Sequence, residues 1–236
     1  MNQLATKKTP RHSVTSSLQS KPKSDRNQRK KSQTRFVLLE TAYLIMSMKG
    51  IDATTVSDIT STADVGLGTF YNYFARKEDL VIVVLDCIIR DLCDRNDVAT
   101  ASLRQKDPAA GHATAIRLAL QEMLANPMWK WWFKRPDLLA DLLRKAAYQI
   151  GTRDIKAAIE AGVYEVPLHD VEEIWAQQVW LIVGGIKDIL DGKVEREKSE
   201  AVLIQTIMRA IGLPPEAARK AAKVDLPEVR PPMIRF

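Results

Sequence analysis

Residues 54–80 of the chain read TTVSDITSTADVGLGTFYNYFARKEDL. Thr55 followed three residues later by Asp58 has the spacing of a capping box, and apolar residues recur behind it at helical intervals. This pattern predicts a helix of about two turns. The letters DVG at 64–66 interrupt it with residues that suit a tight turn. A second short helix is predicted over 67–73, so the stretch forms two helices joined by a turn.

The second helix has the features of a helix that enters the major groove of DNA. Phe70 and Phe74 are four residues apart and should face inward. The leading residues would then face base edges, and a glycine among them lets the backbone approach closely because it has no side chain. These leading residues are Leu67, Gly68 and Thr69.

The stretch resembles the helix-turn-helix of the TetR family of bacterial transcriptional regulators. Two positions depart from the family pattern: Thr60 stands where the family usually has alanine, and Asp64 stands where it usually has the glycine of the turn. Asp64 should cost a little stability without abolishing the turn. The resemblance is specific over residues 33–82 and only architectural beyond them. It is carried by Thr55, Asp58, Ile59, Ala63, Val65, Gly68, Thr69, Tyr71, Tyr73, Phe74, Lys77 and Leu80.

The resemblance implies a role for the matching side chains. Tyr71 and Tyr73 are expected to contact phosphates, although both could instead only pack the small domain. Leu67 could touch a thymine methyl group or simply be exposed. Hydroxyl and ammonium groups suit phosphate oxygens, and Lys77 stands where the next helix begins, so backbone N–H groups can add to the anion site. The implied phosphate contacts are Thr55, Thr69, Tyr71, Tyr73 and Lys77; Leu67, Gly68 and Asn72 lie nearer the bases, and Gly66, which begins the helix, completes the candidate DNA-binding residues.

The composition favours an all-α fold. With 236 residues and 46% hydrophobic content the chain can bury a sizeable core, and only ten residues are glycine. Strand-like alternation does not persist in the sequence. Caps and helix breakers predict helices over 32–49, 77–105, 108–126, 136–162 with an interruption at Gly151, 170–191, 196–212 and 215–223. The expected organisation is a disordered basic arm (1–31), a helix-turn-helix DNA-binding domain (32–76), a larger helical ligand-binding and dimerisation domain (77–223) and a Pro-rich tail (224–236).

Positive charge is concentrated at the start of the chain. Residues 1–35 contain ten Lys or Arg and one acid, a net charge of +9 within a chain of net charge +6, so the remainder carries −3. Such an arm could lie along the DNA backbone or enter the minor groove, or it could be a solubilising tail with no fixed role. The arm lacks the hydrophobic core of a signal peptide, and the sequence has no run of roughly 20 apolar residues. We therefore expect a soluble, cytoplasmic protein that does not associate with membranes.

The two long helices near the end of the chain each carry an apolar stripe. The resemblance implies that they pair with their copies across a two-fold axis as a four-helix bundle, although both stripes could instead complete the core of the monomer. Gly184 and Gly185 inside a helix are destabilising unless another backbone packs closely there. The candidate residues of the homodimer interface are Ile174, Leu181, Gly185, Ile189, Leu203, Ile207 and Ile211.

The run MWKWWFKR at 128–135 contains three of the five tryptophans. Such aromatic residues could wall a pocket for a flat or apolar small-molecule effector, or they could simply be core. Trp180 would be a further wall, and polar side chains would orient the effector. The candidate ligand-binding residues are Arg117, Met123, Trp129, Trp132, Phe133, Tyr148, Gln149, Trp175 and Gln178.

Catalysis, a cofactor and a metal site are not predicted. His12, His112 and His169 are scattered without the spacing of metal ligands. Cys87 and Cys93 would lie on different sides of a helix, so a disulfide between them is not expected, although a redox-sensing thiol stays open. The sequence has no nucleophile elbow, no Gly-rich phosphate loop and no paired-carboxylate signature in a supporting context.

Together these features predict an all-helical, TetR-like one-component repressor. It would bind a palindromic double-stranded DNA operator as a homodimer and be released by a small apolar or aromatic effector. Three alternatives carry the same helix-turn-helix: an activator, a regulator controlled by a protein partner, and a DNA-architectural protein of low sequence specificity.

Overall fold

The computed structural model describes residues 23–236, and this part of the chain folds into eleven α-helices without a strand. The predicted all-α class is therefore confirmed. A 3-10 turn at Leu168–Asp170 precedes the ninth helix. The helices are α1 (Lys23–Lys49), α2 (Val56–Thr62), α3 (Leu67–Tyr71), α4 (Lys77–Lys106), α5 (Pro108–Ala125), α6 (Met128–Trp132), α7 (Pro136–Ala146), α8 (Tyr148–Glu160), α9 (Val171–Leu190), α10 (Arg196–Ala210) and α11 (Pro215–Ala221).

Helices α1, α2 and α3 pack with the first turns of α4 into a small unit, here called the DNA-binding unit after its predicted role. Ile59 of α2 and Leu80 of α4 are fully buried in its core. Phe70 and Phe74 are also buried, with ring centroids 5.7 Å apart, as their spacing predicted. Because α2 and α3 are too short to be stable alone, this shared apolar core is what holds them.

Helix α1 begins at Lys23, earlier than the predicted start at residue 32. The end of the stretch predicted as a disordered arm is therefore helical. Residues 26–33 of this extension are exposed and polar. Arg, Lys and Gln are good helix formers, and an exposed helix needs no apolar stripe, so the periodicity could not reveal it. Residues 1–22 of the predicted arm lie outside the described residues.

The larger part of the molecule, here called the body, is built around the antiparallel pair α4 and α5. Asp107 caps α5 by accepting the Ala110 N–H at 2.9 Å, and Pro108 occupies the first helical position. The two helices approach closely at Gly111, where an added Cβ would lie 2.6 Å from the Cα of Arg104. Helices α7, α8 and α9 pack on the other side and complete the main core.

The break predicted at Gly151 lies instead at Ala147, between α7 and α8. Gly151 is inside α8, where the indole of Trp175 packs against its backbone. An added Cβ at this position would lie 2.5 Å from Cε3 of that ring. The glycine is therefore required by a side chain that comes from a distant helix, which the local sequence could not show.

Helices α9 and α10 pack against each other within the monomer. Gly185 faces Leu203, and an added Cβ there would lie 2.6 Å from Cδ1 of that leucine. Ile207 and Ile211 are 0% and 2% exposed, because they enter a second apolar core formed with α5 and α11. The structure thus places these two predicted interface residues in the core of the monomer, where they present no surface to a second chain.

Candidate nucleic-acid interface and internal cavity

Helix α2 is fixed by the predicted capping box. The Asp58 N–H donates to Oγ1 of Thr55 at 3.1 Å, and the Thr55 N–H donates back to Oδ2 of Asp58 at 2.8 Å. Lys49 at the end of α1 contacts the same carboxylate at 2.7 Å. Hydrogen bonds from Lys49 and then Thr55 hold the pKa of Asp58 far below its usual range, so the cap stays charged.

The turn between α2 and α3 orients the second helix. Asp64 adopts φ +51°, the left-handed conformation for which the family pattern has glycine. The backbone N–H of Val65 donates to the Thr60 carbonyl at 3.0 Å, and the Val65 side chain packs on the core. The turn therefore forms with aspartate, at the expense of a strained residue.

Helix α3 presents a short exposed face. Leu67 and Tyr71 are each 54% exposed, and Gly68 and Asn72 are also exposed. Thr69 is half-buried. Gly66, at the start of the helix, and Thr55, at the start of α2, are exposed as well. The predicted base-proximal residues thus share one surface, here called the reading face, while Phe70 holds the helix from behind.

Two residues predicted to contact phosphates have contacts inside the molecule. The ammonium of Lys77 donates to the carbonyls of Ile51 at 3.0 Å and Thr54 at 2.7 Å, so it ties α4 to the turn before α2. Tyr73 is half-buried against the core. Arg76, which is not among the predicted contacts, lies beside Lys77 and is exposed, with its guanidinium 3.2 Å from Asp79. Its position immediately before the long helix α4, next to Lys77, is the feature of the sequence that points to it.

The tryptophan-rich run joins the body to the DNA-binding unit. Nε1–H of Trp131 donates to Oδ1 of Asp52 at 2.5 Å, and Nζ of Lys134 lies 3.2 Å from Oδ2 of the same carboxylate. The guanidinium of Arg135 stacks over the Trp131 ring at 3.8 Å. We call this set of contacts the clasp. Asp52 belongs to the turn after α1, so the clasp connects α6 to the unit that carries the reading face.

An internal cavity of about 100 Å³ lies in the body between α4, α5, α7, α8 and α9. A dry cavity of about 150 Å³ in another protein accepts benzene, so this volume is on the scale of one small aromatic ring. Most of the wall is apolar, and Trp175 closes one side. The apolar lining includes Ile89, Leu92, Ile116, Ala119, Met123, Leu143, Ile150, Val179 and Ile182.

Only part of the predicted ligand set lies at this cavity. Met123 and Trp175 line it. Trp129, Trp132 and Phe133 are 1%, 1% and 3% exposed, but they pack in the core without lining the cavity. Their position follows the alternative interpretation of the aromatic run as core.

The remaining predicted ligand residues do not line the cavity either, although Gln178 lies close to it. Arg117 donates to the carbonyl of Val224. Tyr148 is exposed and donates to Glu172 at 2.6 Å, and its neighbour Gln149 is exposed. Gln178 is buried, and its amide nitrogen lies 2.8 Å from Nε2 of a histidine that lines the cavity.

A charged cluster forms one part of the cavity wall. Asp97, Arg104 and Asp154 line the cavity, with the Arg104 guanidinium 2.7 Å from Asp97 and 3.6 Å from Asp154. Arg153 bridges the two carboxylates from outside, at 2.6 Å and 2.7 Å. The hydrogen bond from Arg153 lowers the pKa of Asp97, which keeps this carboxylate ionised at neutral pH. Charged side chains that pair with one another therefore border a cavity whose surface is otherwise apolar.

A neutral histidine lies next to this cluster. His112 is fully buried, with Nδ1 2.9 Å from the hydroxyl of Tyr164 and Nε2 2.8 Å from the Gln178 amide. Burial lowers its pKa to about 4. Oε1 of Gln178 is buried without a hydrogen-bond partner. Cys93 also lines the cavity, and burial raises the pKa of its thiol to about 12, so it stays protonated and unreactive.

Within residues 23–236, no group of three or more His, Cys, Asp or Glu side chains has the arrangement of a metal site. None of the helices in this described part of the chain is long and apolar enough to span a membrane.

Comparison with known proteins gives consistent similarities. Residues 38–84 match the family described as bacterial regulatory proteins, tetR family. The chain is 25% identical over 188 residues to the HTH-type transcriptional repressor LfrR of Mycolicibacterium smegmatis, an alignment that covers 78% of this chain and 94% of LfrR. It is 33% identical over 58 residues to the uncharacterized HTH-type transcriptional regulator YvdT of Bacillus subtilis, covering 25% of this chain and 30% of YvdT.

Solved structures show the same fold over most of the chain. The crystal structure of RolR in complex with the ligand resorcinol has a TM-score of 0.77 and 25% identity, and the match covers 85% of this chain and 98% of RolR. RolR without ligand matches with a TM-score of 0.74 and 24% identity, over 82% of this chain and 99% of that chain. At this coverage, the similarity extends over parts of both the DNA-binding unit and the body.

Proposed function

We propose that this chain is a transcriptional regulator of the TetR family, to which its helix-turn-helix and its fold are similar. It represses transcription as a homodimer on a two-fold symmetric operator and leaves the DNA when a small hydroxylated aromatic molecule fills the cavity. The observation that carries the proposal is the course of α4. This helix begins at Lys77, beside the reading face, and its stretch from Ile89 to Asp97 lines the cavity. The thirty residues of α4 span roughly 45 Å. Because one rigid helix connects the two sites, a shift of α4 at the cavity changes the orientation of the reading face.

The reading face supports sequence-specific binding to DNA. Leu67 and Tyr71 project from a helix whose opposite side is buried, so their positions are fixed by the core. An apolar Leu67 suits a thymine methyl group, and the exposed Asn72 can hydrogen-bond to base edges or phosphates. Because Lys77 is occupied by carbonyls, we propose Arg76 as an additional phosphate contact.

A face of α9 and α10 supports dimerisation. Trp180 and Val202 are 45% and 60% exposed, and Gln177, Gly184 and Thr206 are exposed beside them. An added Cβ at Gly184 meets nothing within 4 Å, so nothing in its own chain requires a glycine there. A glycine inside a helix costs about 1 kcal/mol relative to alanine, and the close approach of a second copy explains why it is retained.

The residues predicted for the homodimer interface therefore contribute unequally to this face. Ile174, Leu181, Ile189 and Leu203 are half-buried in the monomer and can only flank the interface. Two copies joined at the α9 and α10 face would present two reading faces, which matches half-sites roughly 34 Å apart or a multiple of that distance.

The cavity supports a small aromatic effector with hydroxyl groups. Its volume suits one ring, its wall is mainly apolar, and the carboxylates of Asp97 and Asp154 can accept hydrogen bonds from hydroxyl groups. Arg104 and Arg153 balance the charges of the two carboxylates, so the cluster carries no net charge and suits a neutral phenol. Resorcinol, the ligand of RolR, is a dihydroxybenzene of this class.

The DNA half of the proposal is tested by selecting bound duplexes from a random pool while the complexes are sized in solution. We expect a two-fold symmetric sequence bound by dimers. Trp180→Glu should give monomers with weak operator binding, whereas Val98→Glu, at an exposed position on α4, should stay dimeric. Enrichment of no sequence would contradict the proposal and favour an architectural role.

The effector half is tested with resorcinol as the probe. Calorimetric titration should show binding to the wild-type protein, and resorcinol should release it from the selected duplex. Ala119→Leu fills the cavity and should abolish both effects while operator binding persists, whereas Ala161→Leu, at an exposed site after α8, should change neither. Equal resorcinol binding by both variants would exclude the cavity as the site.

A further inference from the structure

The last segment of the chain, residues 224–236, follows an extended course over the surface. At its start and end, half-buried apolar side chains alternate with exposed charged ones, as in an extended segment with one face against the protein, whereas residues 231–233 are exposed. The half-buried side chains include Leu226, Val229, Ile234 and Phe236. Three prolines restrict this segment and reduce the entropy that it loses on ordering. We call this segment the strap.

The strap is attached to the body at one end and to the DNA-binding unit at the other. At its start, the guanidinium of Arg117 on α5 donates to the carbonyl of Val224. At its end, the ring of Phe236 packs on Tyr43 of α1, with centroids 5.6 Å apart. Ile234, like Phe236, packs against the main apolar core.

Between these ends the strap is tied to α4 through a buried charge. The Asp91 side chain is 5% exposed, and the Arg230 guanidinium lies 3.1 Å from its Oδ1. The backbone N–H of Met233 donates to the same oxygen at 3.3 Å. Arg95, itself buried, binds the other oxygen at 2.7 Å and lies 3.8 Å from Glu122 of α5. The strap thus supplies two of the donors that satisfy an interior carboxylate.

The strap also covers the outer side of the helices that wall the cavity. A groove beneath it is lined by Leu226 and Val229 of the strap together with residues of α4 and α5. Leu92 and Asn96 of α4 line both this groove and the cavity. A displacement of α4 relative to α5 therefore alters the seat of the strap as well as the cavity.

We propose that the strap positions the DNA-binding unit relative to the body, with Arg230 and Phe236 as its positioning residues. It links α5, the middle of α4 and α1 in one segment, and so narrows the range of orientations open to the reading face. The two reading faces of a dimer must match the spacing of two half-sites on the DNA. A dimer whose reading faces are already held near that spacing has a smaller conformational cost of binding, and therefore binds the operator more tightly. This inference rests on the proposed function, because it assigns the strap to operator binding by the dimer.

The test compares Arg230→Ala and Phe236→Ala in the full-length chain with two matched controls. Arg219→Ala removes an arginine whose ion pair with Glu216 is exposed and confined to α11. Met233→Ala trims an exposed side chain within the strap and keeps the backbone contact. Arg230→Ala should fold, because Arg95 still pairs with Asp91.

Both strap variants should weaken binding to the selected operator by about fivefold or more, the lower range of coupling between sites, and the controls should not. Binding to an unrelated duplex should stay unchanged, because it depends on charge and not on the spacing of two readers. A purely structural role would lower both affinities together. Unchanged or tighter operator binding, or an equal loss on both duplexes, would overturn the proposal.

Hydrogen exchange of the α1 amides separates failure of the strap from failure of the proposed function. Exchange should be faster in both strap variants than in the controls, whether or not an operator is found. If wild-type protein selects no symmetric duplex, the proposed function fails, and exchange alone decides whether the strap holds the unit. Unchanged exchange in α1 would overturn the proposal independently of DNA.

Discussion

His112 should make the stability of the protein depend on pH in a window that the structure defines. The imidazole is 3% exposed, between the Tyr164 hydroxyl and the Gln178 amide. Burial lowers its pKa from 6.5 to about 4, even though nearby Asp154 acts in the opposite direction. The folded protein therefore holds this histidine neutral where the unfolded chain would protonate it.

The direction of the effect follows from proton linkage. Above the unfolded pKa of 6.5 both states are neutral, and His112 adds no pH dependence. As the pH falls below that value, only the unfolded state binds a proton, so the free energy of unfolding decreases until the folded pKa of about 4 is reached. At 1.36 kcal/mol per pKa unit, the full loss is about 3 kcal/mol, most of which appears between about pH 7.5 and about pH 4.5.

Urea unfolding of the wild type and of His112→Gln across this range measures the effect. The wild type should lose roughly 2 to 3 kcal/mol more than the variant on acidification. His169→Gln is the control, since the His169 side chain is 84% exposed and should behave as the wild type does. Protein concentration is kept fixed because dimerisation adds to apparent stability. Parallel pH profiles for the wild type and His112→Gln would refute the reasoning.

Three further substitutions test the turn, the clasp and the cavity. Asp64→Gly should raise the free energy of unfolding by up to about 1 kcal/mol in urea titrations, because it relieves a Cβ at φ +51°. Trp131→Phe should lower the free energy of unfolding by roughly 1 to 2 kcal/mol, because part of a buried ring is lost while Asp52 is exposed enough to be rehydrated, and should weaken operator binding measured by titration. Gly151→Ala should abolish resorcinol binding in calorimetry with operator binding retained, because its Cβ would displace the Trp175 ring.

The DNA-binding unit was the part of the fold most accessible from sequence. Its signals are local: the Thr55 and Asp58 cap, the turn at Asp64, and the pair Phe70 and Phe74 all act within a few residues. The predicted TetR resemblance over 33–82 is confirmed by the family match over 38–84. Helix ends were less accessible where exposed polar residues extend a helix, as at the start of α1.

The cavity was harder to predict because its walls come from five helices far apart in the chain. Residue type points to Met123, a flexible apolar residue, and to the aromatic Trp175, whereas it does not point to Asp97, Arg104 and Asp154. A signal did exist, since charged residues on the inward side of helices at separate places in the chain must be paired when buried. Which charged side chains pair with each other is decided by the packing between helices, and this packing cannot be inferred from the local sequence.

The tryptophan run illustrates why residue type alone is ambiguous. Trp131 has a buried ring and one polar atom, so it suits a ligand wall and an interface between two parts of a protein equally well. Its hydrogen-bond partner, Asp52, lies 79 residues earlier in the chain. The choice between the two interpretations depends on that distant carboxylate, and it favours the interface.

The clasp and the strap define what an effector must do to release DNA. Both join the DNA-binding unit to the body in addition to α4, at Asp52 and at Tyr43. A ligand shifts the equilibrium between two reader spacings only by its difference in affinity for them, so tight binding alone is insufficient. Weakening the clasp, whose residues do not line the cavity, should therefore change the effector concentration needed for release without changing the intrinsic affinity of the cavity for the ligand. A substitution outside the cavity wall can thus change release without changing the affinity for the ligand. A substitution of a residue that only lines the cavity cannot separate the two.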